Sequence, residues 1–109
     1  MTPLSKAPSR PSVLASYEFR SVIYLTRRIQ RDYYTAIGLT LRCTVAGATL
    51  EKVIADFTDQ VRADLRTAAH AGSAPEWVEP TSATGWPPGT LRTLIVYRLA
   101  GQDAWAVLP

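Results

Sequence analysis

Three patterns in this 109-residue chain predict an α+β fold. Residues 33–45, YYTAIGLTLRCTV, alternate between apolar and polar with period two, as a strand with one buried face does. From Leu50 the apolar residues recur with period 3.6, as on one side of a helix. TLRTLIVYRL, AGQD and AWAVL then read as strand, turn and strand. The expected architecture is a small antiparallel sheet of about four strands in ββαββ order, covered on one face by one long amphipathic helix.

Taken in order, residues 1–13 hold three prolines and three serines with Lys6 and Arg10. That composition predicts a flexible basic arm ahead of a single α+β domain over 14–109. The first element lies in YEFRSVIYLTRRIQRDYY, residues 17–34. Its density of Tyr, Phe, Val, Ile and Thr favours a strand, with Tyr17, Phe19, Ile23 and Leu25 inward and Glu18, Arg20, Val22, Tyr24 and Thr26 outward. The same residues also read as a helix over 16–31, which makes the alternative order αβαββ. Either geometry puts Arg20 and Tyr24 on a solvent face. In the strand geometry Arg28, Tyr34 and Arg42 extend that face across the sheet.

The next strand, 33–45, places Tyr33, Ile37, Leu39, Leu41, Cys43 and Val45 on one parity. Thr49 suits a helix N-cap. Leu50, Val53, Ile54, Phe57, Val61, Leu65, Ala68 and Ala69 then form the helical stripe, and Gly72 followed by Pro75 ends it. Residues 72–90 are rich in Pro, Gly, Ser and Thr, a long connection of the kind that often carries function. A C-terminal hairpin closes the chain.

The composition is that of an ordinary globular protein, 47% hydrophobic and 19% charged. No apolar run reaches the ~20 residues that span a bilayer, so a membrane role is not expected. MTPLSKAPSRPS has no apolar core of a secretory signal, and Cys43 has no second cysteine to pair with. A cytoplasmic, and from its Arg- and Ala-rich composition bacterial, protein is expected. The net charge of +3 is unevenly placed: residues 1–42 carry seven basic and two acidic side chains, and residues 43–109 carry five and seven.

Catalytic chemistry is sparse. Metal sites need several ligands at closing spacings, and His70 and Cys43 stand alone of their kinds. Neither glycine-rich phosphate-loop pattern is present. No catalytic residue, metal or cofactor is therefore expected. His70 fits the negative end of the helix dipole, and Glu76 and Glu79 flank Trp77 on a loop poorly suited to holding a carboxylate pair. LIVYRLAGQDAWAVLP resembles the closing hairpin of small bacterial toxins that cleave messenger RNA on the ribosome. That family runs one strand, then helices, then further strands, an order unlike this one, and no residue is carried over from it.

Binding chemistry is better represented. Exposed Trp, Tyr and Arg are the residues enriched at protein–protein hot spots, which points to Trp77, Trp86, Arg20, Tyr24 and Arg28 as partner-binding residues. Trp86 sits in the proline-stiffened turn GWPPGT. Both loop tryptophans also suit a lid folded over the core. The expectation is a small non-enzymatic protein that binds a protein partner or itself as a homodimer. The alternative is a single-stranded DNA or RNA module, with arginines on phosphates and rings on bases. Its surface would be Arg20, Tyr24, Arg27, Arg28, Arg31, Tyr34 and Arg42.

Overall fold

A computed structural model describes residues 16–80 and 88–108. Among these, five strands and one helix follow the order β1 (Tyr17–Gln30), β2 (Tyr33–Gly38), β3 (Thr44–Gly47), α1 (Leu50–His70), β4 (Thr90–Leu99) and β5 (Ala106–Val107). The strands form one antiparallel sheet in the spatial order β3-β2-β1-β4-β5. The expected α+β architecture, one helix on an antiparallel sheet, is the one found. The basic arm expected over 1–13 lies outside the described residues.

Residues 17–30 form a strand, and a long one, because β1 is central. It pairs with β4 from Tyr17↔Leu99 to Thr26↔Thr90 and with β2 from Tyr24↔Gly38 to Gln30↔Tyr33. The turn between β1 and β2 is only Arg31–Asp32. Asp32 takes φ 59, a left-handed conformation that its short polar side chain tolerates. The register slips between Arg28 and Gln30, a bulge that lets so tight a turn close without an Asn-Gly or Asp-Gly pair.

The strand expected over 33–45 divides in two. Gly38 N–H donates to Cys43 O at 2.7 Å, and Leu39 and Thr40 N–H both donate to Ile23 O at 2.8 and 3.3 Å. The backbone reverses so tightly here that a Cβ on Gly38 would stand 2.1 Å from Leu41 O. β3 then returns along β2, with Ala36 opposite Val45.

Thr49 caps α1, its Oγ1 accepting from Lys52 N–H at 3.2 Å. The helix ends as expected at Gly72, φ 70, with Ala71 and Ser73 N–H closing onto Thr67 and Ala68 carbonyls. Its buried side chains are Val53, Phe57, Val61 and Leu65, one per turn.

These residues pack on Val22 and Tyr24 of β1, Ala36 of β2, Val96 of β4 and Val107 of β5. Directly opposed residues share a sheet face, so the covered face of β1 is Val22, Tyr24 and Thr26. This corrects the expectation that Tyr17, Phe19, Ile23 and Leu25 point inward to the helix. Both parities of β1 are apolar, and the covered one lines up with small or branched residues on its neighbours: Ala36, Val45, Leu94 and Val96. Gly47 completes the fit, since a Cβ there would be 3.2 Å from Val53 Cγ2.

Candidate interaction surfaces

With one helix on one face, the other face of the sheet carries the remaining parity: Tyr17, Phe19, Ser21, Ile23, Leu25 and Arg27 on β1, and Leu91, Thr93, Ile95, Tyr97 and Leu99 on β4. Leu25 is sheltered, but Phe19 is 50% exposed and Leu91 53%, and Leu99 and Leu108 are also exposed. Tyr17, Phe19 and Tyr97 form an aromatic cluster at one end of this face, with each pair of ring centroids 6.1 to 6.3 Å apart. Exposed apolar residues gathered in this way mark a candidate contact surface.

With Phe19 read as inward, the sequence pattern hides this surface. A signal for it exists. Both parities of TLRTLIVYRL are apolar (Leu91, Ile95, Tyr97 and Leu99 against Leu94 and Val96), while the chain shows a single helical stripe. One helix covers one face, and on the second apolar parity Phe19, Leu91 and Leu99 are exposed.

A second feature closes the end of the helix–sheet layer. The Arg20 guanidinium lies 5.0 Å over the Trp77 ring, Trp77 meets Trp105 edge-on at 5.4 Å, and the Arg98 guanidinium lies 4.6 Å over Trp105. Arg98 Nε also donates to Glu18 Oε2. Val78 N–H donates to Thr40 O at 2.8 Å and pins the Trp77 segment to the sheet. Trp77 packs against the core as a lid.

The sequence-selected residues therefore scatter. Arg20 and Trp77 do meet, but they grip each other. Tyr24 is corrected from surface to core: it is 3% exposed and stacks on Phe57, because it lies on the parity that α1 covers. Arg28 reaches over Tyr34 at 5.9 Å, near the opposite end of the covered side. Arg27 points to the open face, Arg31 sits on the hairpin tip with its side chain 91% exposed, and Arg42 is exposed on the 39–43 reversal. The seven residues of the nucleic-acid alternative thus do not share one surface. Trp86 lies outside the described residues.

Glu76 and Glu79 line different grooves, Glu76 beside Arg42 and Asp64, Glu79 beside Arg20 and Thr40, so they do not converge. Cys43 is half-buried. Burial, with Asp64 adding negative charge, pushes its thiol up to about 11, the direction that suppresses nucleophilicity. Among the described residues no group of three or more His, Cys, Asp or Glu could hold a metal ion, and no helix is long and apolar enough to cross a membrane.

Comparison with protein-family models, curated proteins and solved structures finds no match to this chain. Any functional reading therefore rests on the surfaces themselves.

Proposed function

We propose that this domain is a non-enzymatic interaction module whose working surface is the sheet face opposite α1, and that its partner there is a second copy of the same chain. The observation that carries the reading is the Tyr17–Phe19–Tyr97 cluster with exposed Phe19, Leu99 and Leu108 at one end of this face, and exposed Leu91 towards the other.

Charge favours the second copy. On β1 and β4 this face presents one charged side chain, Arg27. Two copies related by a twofold axis bury apolar surface with little like-charge repulsion. The ten-residue β1–β4 ladder runs about 33 Å and the two strands together are about 10 Å wide, roughly 330 Å² of flat area before side-chain relief is counted. That suits a small interface below the standard size. Two sheets facing each other at ~10 Å would interdigitate these side chains as a sandwich does.

Pairing through the open outer edge of β4 is the less favourable twofold. Centred on Arg92, it would set that arginine against its own copy. The near absence of charge also counts against phosphate binding on this face, where affinity comes from neutralising Lys and Arg.

Sedimentation equilibrium of the full chain tests the reading. Wild type is expected to reach twice its 12.0 kDa mass. Phe19→Ser/Leu99→Ser, both exposed positions, is expected to stay folded and associate about tenfold or more weakly. A folded wild type that stays monomeric at every concentration overturns self-association. Binding of single-stranded nucleic acid with a steep salt dependence would put the alternative in its place.

A further inference from the structure

One flank of α1 carries Arg62, Arg66 and His70 at successive i, i+4 positions, so their side chains form a column with one helical turn between neighbours. The column borders a cleft of about 630 Å³ whose far wall is the 102–107 segment, including Trp105 and Val107. Arg62 pairs with Asp59 at 3.6 Å. Arg66 and His70 have no ion-pair partner among the described residues, and Asp103, which lines the same cleft, pairs with none of the three.

This is an unfavourable way to place charge. Like charges at i, i+4 repel. The helix dipole rewards a cation in the last turn, but its effect fades within that turn, so Arg62 is offset by Asp59 alone. The flank could have carried alternating signs, as Lys52 and Asp56 do at 3.1 Å nearer the helix start. Instead Arg62 and Arg66 both line a cleft that also has Ala69, Trp105 and Val107 in its wall.

We propose that this cleft binds a small organic phosphate. Two guanidiniums from adjacent turns match a dianion with three peripheral oxygens, Arg66 with no ion-pair partner among the described residues and Arg62 by exchanging its exposed Asp59 contact. The apolar wall takes the body that carries the phosphate, in the usual division between a few polar anchors and an apolar lining. The cleft lies beside α1, away from the open sheet face, so the proposal stands or falls independently of self-association. Trp105 supplies a reporter: its indole N–H is buried and has no hydrogen-bond acceptor among the described residues.

The test is a titration of the isotope-labelled full chain, followed by amide and indole NMR shifts, with phenyl phosphate, inorganic phosphate and phenylacetate as probes. Phenyl phosphate is expected to give saturable shifts confined to Ala69, Ala104 and the Trp105 indole. Arg62→Gln/Arg66→Gln is expected to weaken it about tenfold or more while leaving the remaining spectrum in place. Arg31→Gln, on the exposed hairpin tip, is expected to change nothing. Equal affinity for inorganic phosphate or phenylacetate overturns the assignment to an organic phosphate. Shifts spread over many surface arginines, or unaltered in Arg62→Gln/Arg66→Gln, overturn the site itself.

Discussion

The Tyr24 ring stacks on Phe57 with centroids 4.3 Å apart and planes 20° from parallel. This contact joins the central strand to the middle of the helix, and both residues are buried. Phe57→Ala is expected to cost about 3–5 kcal/mol, and Tyr24→Ala a similar amount, through lost burial and the cavity left behind. In a double-mutant cycle the pair should couple by about 0.5–1.5 kcal/mol. Urea unfolding of the four proteins measures this. A cost for Tyr24→Ala below about 1 kcal/mol would return that residue to the surface.

Cys43 should be a slow thiol. With its thiol raised from 9.0 to about 11, the thiolate fraction at pH 8 is lowered about 100-fold, and alkylation should slow in proportion. Asp64→Asn removes the lesser of the two causes and should speed the reaction modestly. The stability consequence has a definite sign. The unfolded chain releases this proton near pH 9 while the folded chain keeps it to about 11, so stability falls as pH rises through that window. Cys43→Ser should flatten that part of the pH–stability curve, and an unchanged slope would assign it to other groups.

Gly38 and Gly47 should respond very differently to the same methyl group. At Gly38 the added Cβ meets the backbone carbonyl of Leu41 at 2.1 Å, which cannot yield without undoing the 39–43 reversal. Gly38→Ala is expected to cost about 2 kcal/mol or more. At Gly47 the neighbour is the Val53 Cγ2 methyl at 3.2 Å, a side chain able to shift, and Gly47→Ala should cost less than about 1.5 kcal/mol. Thermal melts of the two variants decide it, and equal effects would contradict the tight reversal.

Much of the fold was legible because it is written locally. Thr49 as cap, the Val53–Phe57–Val61–Leu65 stripe and Gly72 as stop depend on neighbours within a turn or two, and α1 has those limits. The C-terminal hairpin was similarly readable from AGQD, where Gly101 takes φ 88 and Gln102 N–H donates to Leu99 O at 2.9 Å. The break at Gly38 was not legible. Period two runs smoothly through Leu39, Leu41 and Cys43, and only the pairing of Leu39 and Thr40 with Ile23 shows why the chain turns there.

The surfaces were less legible than the elements. Arg20 and Trp77 read in the sequence as partner-binding residues, but in the structure each contacts the other across 57 positions of chain. The Arg62–Arg66–His70 column follows from i, i+4 spacing alone, but only the tertiary structure sets residues 102–107 opposite it.

By itself, then, the sequence determined the class of the fold, the length and caps of the helix, and the two-faced apolar character of β1 and β4. Alternation specifies which residues share a face, because side chains on a strand point alternately to either side. It does not say which face meets the helix, since that depends on what stands opposite across neighbouring strands. Tertiary structure made that choice by setting Val22 and Tyr24 beside Ala36, Val96 and Val107 under Phe57. The choice sent Tyr24 to the core and left Phe19 and Leu91 in water.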